Sequence, residues 1–357
     1  MSSHPPTVYF RRASFSKLLR QDTLRYPPCP RIRFGWIDST WIPTWLFQAT
    51  MDARFPIVII AAYAVATMFL NRHNQARQSQ PWAISRTRGF RRFVYLHNIA
   101  LTLYSLWACV SIWTLLWSSR VDRQDPLYTL RTVDRICGGH HFRTASGQSE
   151  VEGPWTAGVY VAWTFYLSKA YEMLDTMIIL AKGKRATRLH VYHHLGVLLC
   201  GWASVRYVLQ ASFIGLLLNS TVHTLVYSYY TLSAFRIHIS SPMKAGLTVI
   251  QIGQFGVGLL FSLAFVFIQY DVPLRMDRQP DQDSPSTSPR AANTTRGSPS
   301  GAGGDDLVPQ YRTVTCLKNR GDILVFWGGF LYVCVLMLLF VGFFRQTYLQ
   351  RHKTKTL

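Results

Sequence analysis

His190-Val191-Tyr192-His193-His194 opens an apolar stretch that continues to Tyr207. Positions i, i+3 and i+4 share one face of a helix, so the three imidazoles can point into one cavity. A stretch of this length and polarity reads as a helix entering a membrane. Ionisable groups at membrane depth are costly and generally mark a functional site. The alternative is that neighbouring helices or interfacial water satisfy the ring nitrogens.

The composition around this stretch supports a membrane setting. Of 357 residues, 49% are apolar or aromatic and only 15% are charged, against about 25% charged in average soluble domains. The net charge of +21 would suggest nucleic acid in a soluble protein. Here the basic residues lie between apolar runs, so no nucleic-acid partner is expected, and anionic lipid or a polyphosphate substrate accounts for the rest. The first fifty residues lack a short apolar core followed by a small-residue cleavage site, so targeting is expected from the first membrane span.

A membrane helix needs roughly 20 largely apolar residues. Seven stretches qualify: Phe55 to Leu70, Phe93 to Trp117, Trp155 to Leu180, His190 to Tyr207, Phe213 to Phe235, Ala245 to Ile268, and Ile323 to Phe344. The expected fold class is all-α, a polytopic bundle of seven transmembrane helices. Arg72, Arg77, Arg86, Arg88, Arg91 and Arg92 follow the first span without an acid. Lys182, Lys184, Arg185 and Arg188 lie between the third and fourth. Arg236 and Lys244 flank the loop between the fifth and sixth. The positive-inside rule makes these three loops cytosolic. An odd span count then puts the N-terminus in the lumen and the C-terminus in the cytosol.

The expected organisation is a lumenal segment 1–54, six helices within 55–270, a largely disordered lumenal loop 271–321, a seventh helix within 322–344 and a basic cytosolic tail 345–357. The middle of the loop, Gln279 to Asp306, is rich in Ser, Pro, Gly, Thr and Asp. It cannot bury enough apolar area to offset its ordering entropy. Asn293-Thr294-Thr295 is a glycosylation acceptor there, whereas Asn219-Ser220-Thr221 lies within a span. Cys137 and Cys316 both fall in expected lumenal loops, where a bridge can form; two free thiols are the alternative. Lys353 and Lys355, fifth and third from the C-terminus, resemble a dilysine retrieval signal of the endoplasmic reticulum membrane.

Four polar clusters interrupt the spans. Lys169-Ala170-Tyr171-Glu172-Met173-Leu174-Asp175-Thr176 puts Lys169, Glu172 and Thr176 on one helical face with Asp175 beside them. Charges there must be paired or hydrated, and a carboxylate can fix a histidine tautomer; structural ion pairing between helices is the alternative. The histidine cluster is the second. The third places Asn219, His223, Tyr227 and Tyr230 on one stripe, and the fourth holds Thr248, Gln251 and Gln254 at spacings of three. Tyrosines and amides also serve as plain interhelical links. Four consecutive spans contributing one polar stripe each can converge on one buried chamber.

Read in order, KAYEMLDT, HVYHH, NSTVHTLVYSYY and TVIQIGQ resemble the ELO family of very-long-chain fatty acid elongases, whose pattern is KxxExxDT, HxxHH, NxxxHxxMYxYY and TxxQxxQ. Val226 stands where the family usually has Met. The resemblance implies a membrane-embedded acyltransferase (a 3-oxoacyl-CoA synthase). It condenses a long acyl-CoA with malonyl-CoA to a 3-oxoacyl-CoA, CO2 and CoA, inside seven helices of which six enclose an acyl-chain tunnel. No cofactor and no metal is implied. Other enzymes of the elongation cycle, the reductases and dehydratase, are the implied partners, with homo-oligomerisation left open. His193 is the candidate acyl-accepting nucleophile, with His223 opposite it for the malonyl unit. His190 and His194 are assigned proton transfer and orientation, and Glu172 and Asp175 fix the imidazoles. Asn219, Gln251 and Gln254 are candidate donors to developing oxyanions. Lys182, Lys184, Arg185 and Arg188 face the CoA phosphates, with Tyr227 and Tyr230 near the substrate.

Two rivals stand beside this. Membrane di-iron desaturases and hydroxylases also use HxxHH, because clustered imidazoles bind iron, but they need about eight histidines from three boxes. This chain has one box, with His97 and His223 single. A seven-span receptor or transporter matches the outline without a reason for the histidine cluster.

Overall fold

The computed structural model describes residues 6–11, 32–34, 37–39, 42–138, 154–273 and 311–350. Three short strands, β1 (Val8–Phe10) and the antiparallel pair β2 (Ile32–Phe34) and β3 (Ile37–Ser39), precede the helices. The helices are α1 (Thr44–Met51), α2 (Arg54–Ala76), α3 (Arg88–Ser118), α4 (Tyr128–Ile136), α5 (Pro154–Glu172), α6 (Leu174–Ala181), α7 (Arg188–Arg206), α8 (Ser212–Ala234), α9 (Ser241–Phe267) and α10 (Arg320–Phe344). Strands β4 (Ile268–Pro273) and β5 (Tyr311–Thr315) lie between the last two. Among the described residues, four helices are long and apolar enough to cross a membrane: α2, α3, α9 and α10, the last continued by a π turn to Leu349. The other three expected spans coincide with α5 and α6 in series, α7, and α8, which carry the polar clusters.

Local signals set several of these boundaries. The Thr87 hydroxyl caps α3 by accepting from the Phe90 amide, and Asn319 caps α10 by accepting from the Asp322 amide at 2.8 Å. Asp322 in the first turn also complements the positive end of that helix. Thr187 accepts from the His190 amide at 3.2 Å and so starts α7 three residues before the first histidine of the box. The third expected span is not one helix. It breaks at Met173, which keeps helical angles (φ −61°, ψ −19°) but separates α5 from α6. Glu172 closes one segment and Asp175 lies in the first turn of the other, and the two carboxylates turn to different partners.

Packing closes a ring: α3 lies along α8, α8 along α9, α9 along α10, α10 along α7, α7 along α5, and α5 along α3, with α2 against α7. One core cluster centres on Phe47, Met51, Ile112, Trp163, Tyr166 and Leu198. A second lies at the opposite end from the histidines and joins Leu130, Cys137, Leu209, Phe265, Tyr270, Val272, Cys316 and Phe326.

The all-α expectation needs one correction. Antiparallel β4 pairs with β1 (Val8↔Tyr270) and with β5 (Gln269↔Thr315), so a three-stranded sheet caps that end. Its β1–β4 pairing joins residues more than 250 positions apart, which no local pattern signals. The flanks of the loop expected to be largely disordered are therefore ordered strands. Its middle lies outside the described residues, as do Asn293 and the Lys353-Thr354-Lys355 tail. The structure joins Cys137 at the end of α4 to Cys316 after β5, with Cα atoms 4.7 Å apart.

Candidate active site

The first two turns of α7, the middle of α8 and the end of α5 bring the polar clusters together. On α7 the rings of His190 and His194 are 4.5 Å apart, and those of His193 and His194 5.3 Å. His223 on α8 faces His193 across 6.3 Å between ring centroids. Lys169, itself 1% exposed, donates to Glu172 Oε1 at 2.7 Å and to Asn219 Oδ1 at 3.1 Å. The second Glu172 oxygen sits 3.6 Å from His223 Nδ1, inside ion-pair range but beyond a hydrogen bond. A lysine and a glutamate this buried persist only as a pair. The pair also fixes the Asn219 side chain, whose oxygen is engaged, so its amide hydrogens are available to a ligand.

Asp175 has different partners from those the sequence suggested. Its Oδ1 lies 2.8 Å from His97 Nε2, and its Oδ2 accepts from the Tyr227 hydroxyl at 2.7 Å. It therefore orients the imidazole of His97 on α3 rather than one from the box. His190 Nε2 instead meets the Thr176 hydroxyl at 2.8 Å, and Thr176 meets the Tyr63 hydroxyl at 2.7 Å. Sequence reasoning missed Tyr63, His97 and Tyr332. Only His97 carried a signal, as a single imidazole in an apolar run; the two tyrosines are ordinary residues until packing selects them. Tyr332 donates from its hydroxyl to the His193 carbonyl at 3.0 Å, and its ring lies on the face of α7 left open by Gly196.

A cavity of about 220 Å³ begins at His193, Asn219 and Gln254 and continues between α5, α7, α8, α9 and α10. Phe165, Val197, Leu216, Phe255 and Leu336 make its walls apolar. Val205, Leu209, Ala211, Val325 and Phe326 lie at its far end. Gly215 and Gly329 line it too, and a Cβ at either would meet nothing within 4 Å. Of the expected substrate contacts, Gln254 lines this cavity, while Gln251 and Tyr230 are not among its lining residues. Tyr227 is 2% exposed and is committed to Asp175. Among the described residues, His193 Nδ1, His194 Nδ1, His223 Nδ1 and Gln254 Oε1 are buried with no hydrogen-bond partner. Buried polar atoms need a partner, and a bound substrate can supply one here.

Lys182, Lys184, Arg185 and Arg188 occupy the turn between α6 and the first residue of α7, on the histidine side of the chamber. Burial, followed by the Lys184 charge, lowers the Lys182 pKa. An anionic group placed there would relieve that cation crowding. The chamber thus joins clustered imidazoles, an amide donor and a long apolar pocket, with cations outside. Such an arrangement can hold an acyl chain, transfer protons and support nucleophilic attack at a carbonyl.

The family model described as ELO: GNS1/SUR4 family matches residues 48–356. The chain is 29% identical over 220 residues to very long chain fatty acid elongase 2 of Mus musculus, covering 60% of this chain and 66% of that protein. It is 36% identical over 238 residues to very long chain fatty acid elongase 6 of Gallus gallus, covering 66% and 75%. A putative fatty acid elongase of Dictyostelium discoideum is 35% identical over 177 residues, 47% of this chain and 52% of that one. The chain thus spans between about half and three quarters of the length of these relatives. With the motifs converging on one chamber and the family model covering most of its length, this chain belongs to the ELO (GNS1/SUR4) family.

Proposed function

We propose that this protein is a fatty acid elongase that condenses a long-chain acyl-CoA with malonyl-CoA. The observation that carries the reading is the His193–His223 pair, 6.3 Å apart at the head of an apolar cavity. An imidazole nitrogen of His193 attacks the acyl thioester carbonyl; the C–S bond breaks, and CoA leaves as the thiol after taking the imidazole proton. Malonyl-CoA then loses CO2, and the electron pair of the broken C–C bond becomes an enolate beside His223. The enolate carbon attacks the acyl-imidazole carbonyl, the C–N bond breaks, and neutral His193 is restored once a proton returns. The product is a 3-oxoacyl-CoA two carbons longer.

The surrounding residues support each step. Asn219, held by Lys169, and Gln254 stand where developing oxyanions need donors. Glu172 lies against His223 and Thr176 against His190, so each ring has an orienting neighbour. The apolar cavity offers roughly 0.8 kcal/mol per buried CH₂ to the acyl chain, while Lys182, Lys184, Arg185 and Arg188 receive the CoA phosphates. In this reading α5 with α6, α7 and α8 also span the bilayer, giving seven helices of which six enclose an acyl tunnel. The protein resides in the endoplasmic reticulum membrane with the histidine end cytosolic, and hands its product to the reductases and dehydratase of the cycle. Membranes bearing this chain, given acyl-CoA and radiolabelled malonyl-CoA, are expected to release labelled CO2 from the free carboxyl and to retain the remaining label in the acyl product. Label confined to malonyl-CoA, with the protein folded, would refute the reading.

A further inference from the structure

The far end of the cavity is built from parts that do not belong to the helix ring alone. The linker between α7 and α8 supplies Leu209 and Ala211, and α10 supplies Phe326. These three side chains also belong to the second core cluster, together with Leu130, Cys137, Tyr270, Val272 and Cys316. The floor of the cavity is thus the inner face of the α4 and β4–β5 cap.

The linker turns away at the end of α7 and packs against that cap. Val208, at φ +51°, ends α7 in a left-handed turn that the Leu209 amide closes on the Ser204 carbonyl at 2.9 Å. The residues around this turn are gripped between two close backbone approaches. On one side stands Gly138, at φ +64°, where a Cβ would fall 2.4 Å from the Gln210 side chain. On the other stands Gly321, where a Cβ would fall 2.0 Å from the Tyr207 ring. Gly138 follows Cys137 directly, and Gly321 follows Cys316 by five residues. The Cys137–Cys316 bond ties these two jaws together, and Lys318 reinforces it by donating from Nζ to the Gly138 carbonyl.

We propose that the Cys137–Cys316 bridge is a chain-length determinant: it clamps linker residues 207–211 as the floor of the acyl cavity and so sets the longest product. This rests on the reading of the cavity as an acyl chamber. With the bridge open, the Gly138 and Gly321 jaws can part from Gln210 and Tyr207, and Leu209 and Ala211 can move away from the cavity. The pocket then deepens without any change at the histidines, so condensation continues on longer chains.

The test compares product profiles from a ladder of saturated acyl-CoA substrates with malonyl-CoA. The samples are wild type, the C137A/C316A double variant, Leu209→Ala, and folded wild type treated with a water-soluble phosphine. In that treatment the S–S bond accepts two electrons and two protons to give two thiols, and the phosphine becomes its oxide with oxygen from water. Each altered sample is expected to extend its longest product by about two to four carbons, the depth of a few methylenes. In the double variant and the reduced sample, turnover of the shortest good substrate should stay within about threefold of wild type, because neither the histidines nor the cavity lining is altered. Identical profiles in all four samples would overturn the proposal. So would loss of elongation at every length in both the double and the reduced samples, which would make the bridge a clamp on folding alone. If untreated wild type elongates normally while its profile ignores the bridge, this inference fails and the elongase reading stands. If untreated wild type incorporates no malonyl carbon, the elongase reading itself fails.

Discussion

Replacing Gly215 with leucine fills the proposed acyl cavity and leaves the surrounding fold untouched. Gly215 lies four residues from Asn219, about 6 Å along α8 at 1.5 Å per residue, and it lines the cavity. A Cβ there meets nothing within 4 Å, so the new side chain projects into open space rather than into a neighbour. Four added carbons occupy the room of about four methylenes. At roughly 0.8 kcal/mol each, a long acyl chain loses about 3 kcal/mol of burial. With about 1.4 kcal/mol per decade, kcat/KM for long acyl-CoA falls about 200-fold. Substrates shorter by the displaced length lose little, so the optimum moves to shorter chains. Leucine is also a better helix former than glycine by roughly 0.8 kcal/mol, so thermal stability should hold or rise. The assay measures kcat/KM over graded acyl-CoA lengths beside a thermal melt of the purified protein. A uniform loss at every length, or an unchanged length profile in a folded variant, would refute the reasoning.

Three further outcomes follow from the site. Glu172→Gln leaves the Lys169 ammonium buried without its counter-charge, which should cost about 3–5 kcal/mol of stability and abolish condensation; a melt within a degree of wild type would contradict the pairing. His97→Ala strips Asp175 of one donor in a buried setting and should cost about 1–3 kcal/mol and lower kcat more than it raises KM. His97→Gln, which keeps a donor, should recover most of both, and equal behaviour of the two variants would remove His97 as the anchor of Asp175. Gly196→Ala drives a methyl to 1.9 Å from the Tyr332 ring and should destabilise by about 1–3 kcal/mol through overpacking. Gly328→Ala, with nothing within 4 Å, is the matched control and should be neutral or mildly stabilising.

The pattern of apolar runs and polar stripes was enough to locate the helices and most of the chamber. His190, His193 and His194 share a face because helical spacing allows nothing else, and Lys169 and Glu172 pair because charges in an apolar run must. Contacts between distant segments left no such trace. The β1–β4–β5 sheet joins a segment near residue 8 to one near residue 270, and short strands without a partner in view read as loop. The break at Met173 was invisible because its angles remain helical. It nonetheless sends Glu172 toward His223 and Asp175 toward His97. Tyr63 and Tyr332 show the same limit. Each is one aromatic among many until the fold sets its hydroxyl against Thr176 or the His193 carbonyl.

The most direct measurement is intact and peptide mass spectrometry of purified protein held with a long-chain acyl-CoA and no malonyl-CoA. An acyl adduct on the peptide bearing His193 is expected, with release of one CoA, discharge on adding malonyl-CoA, and no adduct in His193→Ala. Full condensation by His193→Ala, with no acyl adduct on wild type at any time, would contradict the role assigned to the histidine at the head of the cavity.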